Sequence, residues 1–236
     1  MKLSDRLTMV ASFVKEGSNI ADIGTDHGYV PIYLAESGRI GHGLAMDVRT
    51  GPLMRAKEHI RQHKLEDVIE TRLSDGVEKL EPGEADTVIV AGMGGELVIH
   101  ILEDGKRLWN QVEHWILSPQ SELDKVRKFL AEHGFFIERE EMLLEDGKYY
   151  TIMDAVRGDM GALTPWECLY GPCLIREKNP VLGEFLEKEE TLLERILSGI
   201  SGQEGESAKR RAEELKEQLA WIQRAKAAYE RNARIR

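Results

Sequence analysis

The stretch ADIGTDHGYVP, Ala21 to Pro31, gathers two carboxylates (Asp22, Asp26), one imidazole (His27) and two glycines (Gly24, Gly28) between two apolar runs. Polar groups placed so belong to a turn between buried elements. Such a set offers three chemistries: a glycine backbone cradling phosphate, acid and imidazole ligating a metal, or carboxylates holding a cation. Dinucleotide sites use G-x-G-x-x-G. Here Asp26 stands where a pyrophosphate would lie, which repels the anion and removes the close backbone approach of glycine. A nicotinamide cofactor is therefore disfavoured. For a metal, Asp26 and His27 are adjacent and diverge in a turn. His59 and His63 share a helix face, but HIRQH lacks the glutamate of H-E-x-x-H, and Cys168 and Cys173 have no second pair. No metal is expected. G-x-S-x-G, the setting of a serine nucleophile, is absent. A cationic ligand is the reading left standing.

The flanking elements place these residues. Leu3, Leu7, Val10 and Val14 recur at helical spacing, predicting a helix over the first sixteen residues with Gly17 at its C-cap. NIADIG reads as a buried strand, VPIYLAESG as a helix, and RIGHGLAMDV as a strand ending at Asp47. TGPLMRAKEHIRQHKL is a helix with Thr50 as cap and Pro52 tolerated in its first turn. EDVIETRL is a strand, followed by the turn Ser74 to Gly76. ADTVIVAGMGG is a strand entering a glycine-rich loop, ELVIHILEDG a helix, and HWILSP a strand. Ser121, with Asp124 three residues on, predicts a capping box for ELDKVRKFLAEHG. Alternation on both sides of Asp146-Gly147 signals a hairpin.

Strand and helix thus alternate five times before a hairpin, the pattern of an α/β doubly wound sheet with antiparallel last strands. From Gly158 to Pro180 the chain is rich in glycine and proline and reads as a connector. Beyond it Leu182, Leu186, Leu193, Ile196 and Ile200 form one stripe, and Ala212, Leu215, Leu219, Ile222 and Tyr229 another, joined by SGQEGES. Two facing stripes predict an antiparallel helical hairpin, a short coiled coil. The expected domains are 1–158, the sheet, and 159–236, the connector and hairpin.

With 236 residues, 42% hydrophobic and 31% charged, the chain has the composition of a folded domain with an appendage. No apolar run is long enough to cross a bilayer. The N-terminus makes a poor signal peptide and two cysteines make no disulfide framework, so a cytoplasmic location is expected. A net charge of −10 argues against nucleic acid in bulk. It hides an asymmetry: Arg224, Lys226, Arg231, Arg234 and Arg236 face only Glu230 after Gln218, and Lys209-Arg210-Arg211 precede them.

In open α/β sheets ligands bind beyond the strands' C-terminal ends, near the first strand. S-adenosyl-L-methionine carries an ammonium and a sulfonium and no phosphate, so carboxylates at that crest attract it. Asp22, Gly24, Asp26 and Gly28 resemble the first motif of class I methyltransferases, with aspartate at a position often held by glycine. Asp47 ends the second strand, where an acid accepts from both ribose hydroxyls. Asp75-Gly76 follows the third, where class I methyltransferases commonly hold the adenine. The fourth strand ends in Ala91-Gly92-Met93-Gly94-Gly95, the region that faces donor and acceptor in that class. It lacks the Asp/Asn-Pro-Pro-aromatic motif of methylases acting on exocyclic amines. Gly92, Met93 and Gly94 offer backbone and space, which suits an acceptor with an available lone pair, such as a ring nitrogen.

LSDRL, ADIGTDHGYVP, VIVAGMGGE, ILSPQSE and EDGKYYTI, in that order, resemble the bacterial tRNA adenine-N1 methyltransferases of the TrmK family along essentially the whole chain. Thr25 and Gly28 depart in detail from the first motif. The resemblance implies a Rossmann-like domain with a C-terminal helical hairpin, S-adenosyl-L-methionine as donor, and methylation at N1 of adenine 22 in the D-arm of tRNA. Asp26 is then the candidate to stabilise the cationic product ring and His27 to orient it or bond the base. Tyr29, Tyr149 and Tyr150 are candidates for stacking. Arg6, in LSDRL, is a candidate phosphate contact, and the basic hairpin a candidate grip on tRNA. Alternatives are another acceptor for the same donor, or a non-catalytic interaction protein with the hairpin as its working end.

Overall fold

The computed structural model describes residues 1–200 and 205–231, in two units, Met1–Gly161 and Ala162–Arg236. The first unit runs α1 (Asp5–Phe13), β1 (Ser18–Ile23), α2 (Tyr29–Glu36), β2 (Ile40–Asp47), α3 (Thr50–Gln62), β3 (Ile69–Leu73), β4 (Thr87–Ala91), α4 (Gly95–Asp104), β5 (His114–Ser118), α5 (Leu123–Glu132), β6 (Phe135–Glu145) and β7 (Lys148–Arg157). The seven strands form one sheet in the order β3-β2-β1-β4-β5-β7-β6. β1 to β5 pair in parallel, and β7 enters antiparallel between β5 and β6. That insertion separates this sheet from the all-parallel dinucleotide order 3-2-1-4-5-6. Strand order reverses between β1 and β4, which opens a crevice at their C-terminal ends.

Central strands read as unbroken apolar runs because helices cover both faces. Val88, Ile89 and Val90 of β4 and Trp115, Ile116 and Leu117 of β5 are fully buried. On one face Val10 and Phe13 of α1, Val14 just after it, and Val30 and Leu34 of α2 pack over Ile20, Ile89 and Ile116. The hairpin is as predicted: Asp146 (φ 49°) and Gly147 (φ 76°) turn it, and Glu145 pairs with Lys148. Two positive φ values in a two-residue loop suit the twist of the flanking strands.

Several local expectations are corrected. α1 ends at Phe13 with Val14 as C-cap, so Gly17 turns a separate loop and donates to Arg39 O at 2.8 Å. Arg49, not Thr50, precedes α3, and no side chain caps it. No helix joins β3 to β4, so the alternation breaks once; the turn is held instead by Arg107, which donates to the carbonyls of Val77, Glu78 and Leu80. Ser121 does not cap α5. Glu122 takes that position at φ 48°, which turns Ser121 Oγ and Glu122 Oε2 onto the amide of Gly95, at the start of α4.

The second unit holds α6 (Pro165–Tyr170), α7 (Pro172–Glu177), α8 (Pro180–Ile200) and α9 (Glu206–Arg231). The predicted connector is therefore partly helical. Its prolines occupy first helical positions, where no amide is needed, and Thr164 and Glu167 close a capping box. α8 and α9 are antiparallel, because Tyr229 OH donates to Lys178 O and Asn179 O, joining the end of α9 to the start of α8. Leu182, Leu186, Leu215, Leu219 and Ile222 are buried, whereas Ile196 is exposed, so the α8 stripe is covered at its N-terminal end. The predicted joining turn falls largely on 201–204, and Arg234 and Arg236 on 232–236, both outside the described residues.

Candidate active site

A cavity of about 600 Å³ opens at the ends of β1, β2 and β4, within the size range of small-molecule sites. Of the residues singled out in the sequence, Arg6, Asp22, Gly24, Asp26, His27, Tyr29, Asp47, Asp75, Gly76, Gly92 and Met93 line it.

β1 delivers Asp22 and then turns. The amides of Gly24 and Thr25 both donate to Met46 O of β2, at 2.8 and 2.9 Å, which pins the turn against the sheet. Gly24 lies at φ 72°, which favours glycine; a β-carbon there would overlap only the terminal methyl of Met93, a flexible end that can swing aside. Asp22 is buried and accepts from Thr25 Oγ1 at 2.7 Å. Desolvation pushes its carboxyl up to about 6; the Thr25 hydrogen bond opposes this and the charge of Asp47 adds to it. Asp47, buried at the end of β2, accepts from Arg49 N at 2.8 Å. Asp75 is exposed at the rim, beside a turn in which Ser74 Oγ donates to Gly76 O.

Asp26 faces outward at φ 49° and meets Arg55 of α3 at 2.9 Å. His27 stacks on Tyr29 (5.1 Å between centroids, 7° between planes) and on His59 (5.4 Å), and His59 Nδ1 donates to His27 O at 3.0 Å. His27 Nδ1 and Arg6 Nη1 are both buried without a partner. Arg6 is braced from β6 and β7: its amide donates to Glu145 Oε1, and its guanidinium lies 5.2 Å over the Tyr150 ring. Unpaired buried polar groups cost about 1–3 kcal/mol each, so their place at a cavity points to a ligand that supplies an acceptor for Arg6 and a hydrogen-bond partner for His27.

Four singled-out residues do not line the cavity. Gly28 precedes α2 at φ 72° and lets Ala56 of α3 approach. Gly94 is the N-cap of α4. Tyr150 packs on the core under Arg6, and Tyr149 precedes it on β7. The sequence reading missed Arg55, His59 and Gln120. Gln120 lines the cavity, and its amide donates to Met93 O at 2.8 Å. Its signals were its place in ILSPQSE and just beyond a predicted strand end.

The histidine pair considered for zinc is split, since His63 bonds Glu36 at 2.6 Å while His59 turns to His27. Elsewhere His114, Glu138 and Asp154 bring ligand-type atoms within 4.8 Å. There His114 Nδ1 donates to Asp154 at 3.0 Å, an ion pair that raises the imidazole pKa.

The inserted antiparallel strand and a crest of carboxylates define an S-adenosyl-L-methionine-dependent class I methyltransferase. Residues 3–153 match the family described as Methyltransferase domain. The chain is 37% identical over 193 residues to the tRNA (adenine(22)-N(1))-methyltransferase of Bacillus subtilis, covering 80% of each. It superposes on the crystal structure of B. subtilis TrmK with a TM-score of 0.83 at 33% identity, over 95% of this chain and 98% of that one. M. capricolum TrmK, solved with its cofactor product S-adenosyl-homocysteine, gives a TM-score of 0.82 at 26% identity, over 97% of this chain and 100% of that one. The chain belongs to the TrmK family of tRNA (adenine(22)-N1)-methyltransferases.

Proposed function

We propose that the protein transfers a methyl group from S-adenosyl-L-methionine to N1 of adenine 22 in tRNA. The observation that supports this most directly is a cavity lined by Asp22, Asp47, Asp26 and Asp75, with two unpartnered buried nitrogens, in a chain of this family. The donor set fits the cofactor: buried carboxylates suit a cation, and a turn with glycine at φ 72° suits close approach of a ligand to the backbone. When bound, the cofactor supplies an electrophilic methyl on sulfur.

Asp22 and Gly24 hold its cationic end, Asp47 accepts from its ribose, and Asp75-Gly76 edge its base. Gly92 and Met93, which line the cavity at the end of β4, would face the target base. Adenine N1 carries a lone pair at neutral pH, so no base is required and the chain's task is alignment and charge. The product ring is cationic. Asp26, clamped by Arg55, supplies negative charge at the mouth, and His27, fixed by Tyr29 and His59, offers its unpartnered Nδ1 to the substrate. Arg6 offers Nη1 from the other side. Gly28 and Gly94 shape the two turns, and Tyr150 positions Arg6.

The expected partner is tRNA. Among the described residues no helix is long and apolar enough to cross a membrane. The Ala162–Arg236 unit is assigned to tRNA binding, although Arg210 and Arg211 of the basic run are paired with Glu214. Purified protein given methyl-labelled S-adenosyl-L-methionine is expected to label an unmodified tRNA transcript and to leave unlabelled one with guanine in place of adenine 22. Equal labelling of both removes the position, and labelling of neither removes the acceptor.

A further inference from the structure

The Ala162–Arg236 unit carries a cluster that the methyl-transfer reading does not use. Trp166 of α6 and Trp221 of α9 stack with centroids 6.2 Å apart and 29° between planes. The Arg224 guanidinium carbon lies 5.5 Å from the centroid of one and 5.2 Å from that of the other. The sequence builds this locally. Trp221 and Arg224 are three apart on α9 and so share a helix face. Trp166 lies within the Thr164–Glu167 capping box, next to Pro165, and these fix the start of α6. Both indoles are half-buried and Arg224 is exposed.

Several other cations of this unit are engaged with carboxylates: Arg210 and Arg211 with Glu214, Lys226 with Glu190, Arg176 with Glu177. Arg224 has only the two ring faces recorded against it among the described residues. Among the described residues no carboxylate pairs with it, and the side chain is exposed. Glu167, the acid on α6, already accepts from Thr164.

Indole faces beside an unneutralised guanidinium match a nucleotide, whose base stacks while its phosphate takes the charge. An apolar peptide would leave the charge unmet, and an acidic one would leave the rings unmet. We infer that Trp166, Trp221 and Arg224 form a platform for an unpaired nucleotide of the tRNA, a contact made by residues that do not line the methyl-transfer cavity. The inference rests on RNA being the substrate. It does not rest on which adenine is methylated.

The test titrates the full-length protein with a transcript carrying guanine in place of adenine 22, so that binding is read without methyl transfer. Tryptophan emission is expected to be quenched on binding, with the Trp166→Phe variant losing much of the quench. Arg224→Ala is expected to weaken tRNA binding roughly tenfold and to reduce the salt dependence by about one phosphate contact. Arg224→Lys should restore the salt dependence but not the affinity, because a lysine lacks the planar face. The dissociation constant for S-adenosyl-L-methionine should be the same in all of them. Unchanged emission, or tRNA affinity and salt dependence in Arg224→Ala equal to wild type, would reduce the cluster to packing of α6 on α9 and overturn the platform. No tRNA binding by the wild type would overturn the RNA reading itself.

Discussion

Beneath α5, Arg127 and Glu140 are sealed from solvent, at 1% and 0% side-chain exposure, and meet at 2.8 Å. Nearby, buried His114 and Asp154 meet at 3.0 Å. At the crest of β1, Asp22 is also buried, yet its recorded partner is the Thr25 hydroxyl and no cation among the described residues meets it. Arg6 Nη1 and His27 Nδ1 stand unpaired in residues that line the same cavity. One sheet thus buries charge in two ways. Pairing within the chain marks where the fold is held. Charge and donors left unmatched at a cavity mark where an external partner completes the set. The division is not absolute, since Trp115 Nε1 in the core also lacks a partner.

Removing one member of the sealed pair should have the largest effect. Arg127→Met takes the guanidinium away from the buried Glu140 carboxylate and is expected to cost about 3–5 kcal/mol of stability, read from urea unfolding, with most of it regained in Arg127→Met/Glu140→Leu. A single variant no less stable than one at the exposed Lys128–Glu132 pair would erase the contrast. At the crest the pattern should invert. Asp47→Ala is expected to weaken S-adenosyl-L-methionine binding by about 1–3 kcal/mol in calorimetry, with little change in unfolding. An unchanged dissociation constant would take Asp47 out of the site.

The two regions also differ in how far the chain alone discloses them. The crest was legible because its signals are local: an acid or glycine at the end of each apolar run, repeated at β1, β2, β3 and β4. The hairpin was legible from Asp146-Gly147. What closes the site comes from afar. Arg55 and His59 are ordinary helix residues until α3 packs beside the β1 turn, and HIRQH gave only a zinc question. Ser121 reads as a cap until Glu122 enters the left-handed region and turns it to α4. α6 and α7 were hidden because proline marks both a connector and a helix start. The sealed Arg127–Glu140 pair was equally invisible, since its partners lie on a helix and a strand with no pattern linking them.

Asp22 offers a finer probe of the same contrast, through pH. Its folded carboxyl lies near 6 against an ordinary 3.8, so the native state holds its proton more tightly than the unfolded chain. The stability this lends is present in full below about 3.8 and is lost as pH rises toward 6. Wild type minus Asp22→Asn, which keeps the size and an acceptor for Thr25, should therefore fall across that window. A cationic ligand favours the ionised form, so the cofactor's affinity should move the opposite way. It is expected to climb by up to about tenfold per pH unit below 6 and to level off above it. Asp22→Asn should show a flat profile over that range and weaker binding at neutral pH. A sloping profile in the variant would place the titrating group elsewhere. A flat one in the wild type would mean that Asp22 keeps its environment unchanged on binding, and the crest would then be no different in kind from the sealed pairs.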